Sequence, residues 1–161
     1  MPYFTSGRLE LMVNGRVVRA EVEARTTLLD LLRGAGFFGV KSGCGTGRCG
    51  ACTVLLDGRP VASCLTLAVR AQGRAVLTVE GVGTVDRPHP LQDAFAEGGA
   101  SQCGFCTPGL VLSARTLLDA QPHPTEEEVR DALAGLCRCT GYARPVAAVL
   151  AAARLASGDD R

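Results

Sequence analysis

Leu9, Leu11 and Val13 alternate with polar or flexible positions near the start of the chain, the period of a strand with one buried face. Asn14-Gly15 follows, a pair suited to a type I′ turn, and such a turn sets Leu11 opposite Val18 and Leu9 opposite Ala20. Thr27-x-x-Asp30 has the form of a capping box and opens a short helix through Leu28, Leu29, Leu31 and Leu32 that stops near Gly34 and Gly36. A second hairpin is expected from Val54-Leu55-Leu56, Asp57-Gly58 and Val61-Ala62, and a last strand from Ala75 to Val79. Strands gathered around one helix point to a small α+β, grasp-like sheet.

From Pro90 the period becomes helical. Pro90 to Glu97 forms a first helix. Thr107 and Pro108 read as an N-cap and N1 pair, followed by Leu110, Val111, Ala114, Leu117 and Leu118. Thr125-x-x-Glu128 is a second capping box, leading into Val129, Leu133 and Leu136, and Pro145 opens a last helix with Val146, Val149, Leu150 and Ala153 inward. Four helices make a second domain. Gly and Pro cluster between Gly81 and Pro88, where neither period holds, so the expected domains are 1–83 and 84–161. Ser157 to Arg161 reads as a frayed tail.

Composition narrows the class. A chain of 161 residues with 47% hydrophobic and 20% charged residues builds a core, and a formal charge of +1 gives no basic footprint for nucleic acid. The first ten residues lack a charged n-region and an apolar h-region. The longest apolar stretch, Val146 to Ala156, is interrupted by Arg154 and falls short of the roughly 18 residues of a spanning helix. The expected location is a reducing cytoplasm. There the eight cysteines would hold metal rather than form disulfides.

Those cysteines divide four and four. Cys44, Cys49, Cys52 and Cys64 are spaced C-x4-C-x2-C-x11-C, and the first three match the plant-type ferredoxin spacing. Cys103, Cys106, Cys137 and Cys139 form C-x2-C and C-x-C pairs thirty residues apart. Each set supplies the four thiols of a 2Fe–2S cluster. Around the first set, Gly45, Gly47 and Gly50 permit a tight loop that turns its N–H groups toward sulfur. Lys41, Arg48 and Arg138 lie near enough in sequence to offset cluster charge, although both arginines read equally well as solvent-facing. Cys103 and Cys106 immediately precede a helix N-terminus, which favours thiolate. Structural zinc also takes four cysteines. The first loop favours iron strongly, whereas the second set taken alone leaves zinc and iron equally open.

Other candidates read as structural. Gly45-Thr46-Gly47-Arg48-Cys49-Gly50 satisfies a dinucleotide-binding pattern, but a ligand cysteine occupies one variable position and no helix follows. His89 and His123, each beside prolines, read as solvated loop residues. Phe37-Phe38 reads either as core packing behind the cysteine loop, the favoured reading, or as an exposed docking patch.

The stretches Lys41-Ser42-Gly43-Cys44-Gly45-x-Gly47-x-Cys49-Gly50-Ala51-Cys52-Thr53-Val54, Ser63-Cys64, Gln102-Cys103-Gly104-Phe105-Cys106-Thr107-Pro108-Gly109 and Cys137-Arg138-Cys139-Thr140-Gly141-Tyr142 together resemble one family. It is the small iron–sulfur subunit of the molybdenum hydroxylases, which include xanthine dehydrogenases, aldehyde oxidoreductases, carbon monoxide dehydrogenases and N-heterocycle hydroxylases. The resemblance runs from about Leu9 to Ala153 and keeps all eight cysteines in order. It departs at Ala134-Gly135, where the family has Gly-Asn, in a shorter and more apolar Gly34–Val40, and at Arg48, where an acidic or small polar residue is common.

The resemblance implies a β-grasp plant-type ferredoxin domain followed by a four-helix bundle domain, with one 2Fe–2S cluster in each. It implies a large partner subunit carrying a molybdenum–pterin centre, a medium subunit carrying FAD, and a heterotrimer or its dimer. Gln102 and Cys139 match positions that approach the pterin, while the plant-type cluster faces the flavin. The chain would relay single electrons between those centres and would hold no catalytic residue of its own. The substrate of the complex would be a purine, an aldehyde or an N-heterocycle, chosen by the large subunit. Two other classes remain open on the residues: a diffusible ferredoxin, distinguished by purifying as a lone monomer, and a colourless zinc-binding interaction module, distinguished by its lack of visible absorption.

Overall fold

The computed structural model describes residues 5–157; Gly158 to Arg161 of the expected frayed tail lie outside the described residues. Strands β1 (Ser6–Val13) and β2 (Arg16–Glu23) pair antiparallel, with Leu11 opposite Val18 and Leu9 opposite Ala20 as the turn predicts. Asn14 and Gly15 take φ of 50° and 76° there, the left-handed pair that a type I′ turn needs. Helix α1 (Leu28–Gly34) starts at the Thr27 capping box: the Thr27 hydroxyl accepts from the Asp30 amide and the Asp30 carboxylate from the Thr27 amide. It buries Leu28, Leu29, Leu31 and Leu32. Strands β3 (Thr53–Leu56) and β4 (Arg59–Ala62) close the second hairpin across Asp57-Gly58.

The last strand, β5 (Ala75–Leu77), is shorter than the expected run to Val79. The Asn14 side chain accepts from the Thr78 amide at 2.9 Å and donates to the Thr78 hydroxyl at 2.8 Å. That clamp takes the place of a ladder, and the chain turns into a 3-10 segment at Val79–Gly81. The five strands run β2-β1-β5-β3-β4, with β5 parallel to β1 and antiparallel to β3.

Four helices follow: α2 (Pro90–Glu97), α3 (Thr107–Ala120), α4 (Glu126–Ala132) and α5 (Ala143–Ser157). Several expectations shift here. The N-cap of α3 is Cys106, so Thr107 is the first helical residue and Pro108 the second. Helix α4 begins at its capping box but ends at Ala132, so Leu136 leaves the helical period and is 64% exposed. Helix α5 starts two residues before Pro145. His89 is the N-cap of α2, its Nδ1 accepting from the Leu91 amide at 3.2 Å, and is not a solvated loop residue; His123 is exposed. Phe37 packs against the sheet core, whereas Phe38 is 60% exposed with the Arg33 guanidinium 5.6 Å from its ring centre.

Two cores share one sheet. Leu9, Leu11, Val13, Val54 and Leu56 pack with α1. Leu55, between Val54 and Leu56, belongs instead to the core of Leu91, Leu110, Val111, Val129 and Val149. Successive strand residues point to opposite faces, so the apolar run of β3 is buried on one side by α1 and on the other by α3. No helix among the described residues is long and apolar enough to cross a membrane.

Candidate metal centres

The first thiol set stands on a loop whose backbone only glycine adopts easily. Gly45, Gly47 and Gly50 have φ of 67°, 75° and 68°, values that cost other residues about 1–2 kcal/mol each. With that path, amides point at sulfur: Cys49 Sγ accepts from the Cys44 amide, and Cys44 Sγ accepts from the amides of Thr46 and Cys49, each at 3.4 Å. Cys52 is buried immediately before β3 and Cys64 follows β4. The Ser63 hydroxyl donates to the Cys52 carbonyl at 2.7 Å, which ties the two cysteines' strands together. Cys44 contacts Cys49, and Cys52 contacts Cys64.

The second set is assembled from distant segments. Cys103 and Cys106 precede α3, in a turn closed by the Ser101 and Thr107 hydroxyls at 2.9 Å. Cys137 and Cys139 lie beyond α4. Cys139 Sγ is 3.5 Å from Cys103 Sγ, and Cys106 contacts Cys137. Here side chains do much of the holding: the Thr140 hydroxyl is 3.1 Å from Cys137 Sγ, and the Tyr142 phenol accepts from the Cys137 amide at 2.7 Å. All eight cysteines are free thiols. In both sets they meet two by two rather than around a single point, as far as the described residues go. Two pairs of thiolates are what two bridged irons require.

The two sets also touch. Leu136 N–H donates to the Cys49 carbonyl at 2.9 Å, joining the residue before Cys137 to a cysteine of the first loop. A Cβ at Gly109, in the first turn of α3, would overlap the Gly50 carbonyl, and one at Gly50 would lie 2.8 Å from the Gly135 Cα. Main chain therefore abuts main chain where the halves meet.

The profile of the 2Fe-2S iron-sulfur cluster binding domain matches residues 11–78, and that of a second 2Fe-2S binding domain matches 78–150. The chain is 52% identical over 144 residues to the nicotine 6-hydroxylase small subunit of Paenarthrobacter nicotinovorans, covering 88% of this chain and 87% of that protein. It is 48% identical over 143 residues to the nicotinate dehydrogenase small FeS subunit of Eubacterium barkeri, covering 88% and 91%. A chain of quinoline 2-oxidoreductase from Pseudomonas putida 86 superposes with a TM-score of 0.90 at 42% identity, covering 98% of this chain and 99% of that one. The chain belongs to the iron–sulfur small subunits of the molybdenum hydroxylases.

For an iron–sulfur subunit, the thiols' proton affinities matter, because only thiolates bind iron. The Thr46 hydroxyl, then the amides of Thr46 and Cys49, hold exposed Cys44 down at about 5. Burial pushes Cys106 up to about 12, with Cys137 adding to the shift. Burial also raises Cys137, but the Thr140 hydroxyl and amide outweigh it and leave that thiol at about 7. Cys64 is raised, mainly by burial. In the Cys103–Cys139 pair, the Phe105 amide lowers Cys103 while contact with Cys103 raises Cys139. Thiol donors only, gathered in pairs and met by hydrogen-bond donors, fit an anionic 2Fe–2S cluster.

The remaining expected positions sort by exposure. Gln102, Cys103 and Cys139 lie exposed on the helical half, and Cys44 is exposed on the loop. Arg48 and Arg138 are exposed, while Lys41 is half-buried. Gly135, standing where the family has Asn, lies in the seam, where a Cβ would come 3.1 Å from Leu110 Cδ2. Tyr142 closes the Cys137–Tyr142 stretch of the resemblance, but its hydrogen bond to the Cys137 amide is not foreseen there. Only its positive φ of 67°, rare for a bulky residue, marks it.

Proposed function

We propose that this subunit is a two-step electron relay inside a molybdenum hydroxylase. In this reading Cys44, Cys49, Cys52 and Cys64 hold one 2Fe–2S cluster within a β-grasp domain of residues 1–83. Cys103, Cys106, Cys137 and Cys139 hold the other within a four-helix domain of residues 84–161. When bound, each cluster takes up and releases one electron at a time. The residues supply the rest. Backbone amides of the first loop and the hydroxyl of Thr140 stabilise negative sulfur, glycines let the loops approach, and the two cores hold the quartets at fixed separation.

The observation that carries the reading is the main-chain seam, Leu136 N–H to the Cys49 carbonyl with Gly50 against Gly109 and Gly135. It brings the two thiol loops into direct contact, as a series relay needs and a diffusible carrier does not. Exposed Gln102 and Cys139 would meet a molybdenum–pterin centre on a large subunit, and the Cys44 side would meet FAD on a medium subunit. The assembly would be a heterotrimer or its dimer in the cytoplasm. The names of the nicotine, nicotinate and quinoline relatives support an N-heterocycle as the substrate of the complex, bound outside this chain, with an aldehyde or a purine as the alternative.

Iron and acid-labile sulfide analysis of the anaerobically purified chain, with electron paramagnetic resonance after reduction, is expected to find two distinct 2Fe–2S centres. The isolated chain is expected to oxidise no substrate with a dye acceptor. A single centre, zinc in place of iron, or turnover without partners would overturn the proposal.

A further inference from the structure

Tyr142 pays a conformational cost that its packing does not explain. It takes φ of 67° directly after Gly141 at 61°, a conformation that a bulky residue keeps only where its surroundings over-determine it. Tyr142 is half-buried and lines an open cleft of about 290 Å³ with Arg130, Leu133, Ala134, Gly135, Gly141 and Val146. What the conformation achieves is a closed ring of hydrogen bonds. The phenol accepts from the Cys137 amide at 2.7 Å, the Tyr142 amide donates to the Thr140 hydroxyl at 3.2 Å, and that hydroxyl is 3.1 Å from Cys137 Sγ. The Tyr142 carbonyl accepts from the Val146 amide at 3.0 Å, which anchors the loop to α5.

We propose that Tyr142 is a positioning residue for the helical-domain centre, its phenol occupying the Cys137 amide and thereby withholding that donor from sulfur. The proposal rests on the assignment of Cys137 as a cluster ligand. Hydrogen bonds to sulfur stabilise the reduced, more negative cluster and raise its potential. A donor held by a neutral phenol oxygen makes no such contribution, so the tyrosine keeps the helical-domain centre lower in potential than the same quartet would be without it. Other amides around this quartet do face sulfur, Phe105 on Cys103 and Thr140 and Cys139 on Cys137, as those of Cys44, Thr46 and Cys49 do in the first loop; the Cys137 amide is turned to the phenol instead.

Two variants of the full chain, loaded with iron and sulfide and titrated anaerobically while each reduced centre is followed by electron paramagnetic resonance, test this. Tyr142→Phe removes the hydroxyl and keeps the ring and its strain. Tyr142→Gly removes both and relieves the strained φ. Both are expected to shift the helical-domain centre upward in potential and to leave the other centre where it is. If the tyrosine served only the turn, Gly would relieve strain and neither variant would move the potential. An unchanged or lowered potential in Tyr142→Phe, an equal shift of both centres, or failure of both variants to take up the second centre would overturn the proposal. Wild-type protein lacking two centres would instead overturn the ligand assignment, which keeps the two failures apart.

Discussion

The two thiol quartets reach the same donor set by different means. The first is a local object: three cysteines within nine residues, wrapped by glycines at positive φ and supplied with donors by their own amides. The second is a tertiary object. Its two halves, thirty residues apart, are brought together by the packing of α3, α4 and α5 and by the seam with the first loop, and its Cys137 is held by the Thr140 hydroxyl and Tyr142 phenol as well as by neighbouring amides. A local loop keeps its shape from backbone preference, whereas a tertiary one keeps it only while the helices stay packed. Metal loading should therefore matter more to the fold of the helical half than to that of the sheet half.

Cys106→Ala breaks this comparison most severely. Cys106 is 8% exposed, stands at the N-cap position of α3 and contacts Cys137, so its loss should remove the second centre and loosen the helices around it. Iron and sulfide should fall by half, and amide exchange should accelerate in α3 to α5 while β1 to β5 stay protected. Cys44→Ala, at an exposed loop position, should also halve the iron but leave exchange in both cores unchanged. Unaltered iron in the Cys106 variant would refute its role as a ligand.

The contrast also explains what could be read from the chain. The β1–β2 register, both capping boxes and the first quartet depend on residues close in sequence, and each was legible as a short pattern. The end of α4 was not: Leu136 continues the apolar period of Val129 and Leu133, yet its amide bonds the Cys49 carbonyl from the other half of the molecule. The early end of β5 likewise follows from Asn14, sixty-four residues before Thr78. The second quartet taken alone looked as much like zinc as iron because its pairing depends on packing. Tyr142 stood in the resembling stretch, but its role was not legible, because a positive φ is not written in any period.

The seam between the halves offers a more graded test. Gly109→Ala would set a methyl against the Gly50 carbonyl, an overpacking that typically costs about 1–3 kcal/mol. Gly45→Ala suffers a positive φ of 67° but meets no neighbouring atom, at a cost of about 1–2 kcal/mol. Both variants should keep their iron. Only Gly109→Ala should weaken the magnetic interaction between the reduced centres, because only it pushes the two loops apart. An interaction as strong as in the wild type would show that the seam does not set their separation.

The smallest effect lies at α2, where a histidine takes the place of the hydroxyl caps of α1 and α4. His89 Nδ1 must be unprotonated to accept from the Leu91 amide. Burial, then Arg115 on α3, push its pKa below the ordinary 6.5, with Asp119 on the same helix opposing them in part. The unfolded chain therefore binds this proton more readily than the folded one, so the contribution is complete above pH ~6.5 and fades as pH falls through the lowered folded value. Melting temperatures measured between pH ~7.5 and ~5.5 should decline more in the wild type than in His89→Ser, which keeps a capping oxygen that does not titrate. Acid lability of the metal centres is common to both proteins and cancels in the difference. An identical decline in the two proteins would show that the α2 cap does not titrate in this range.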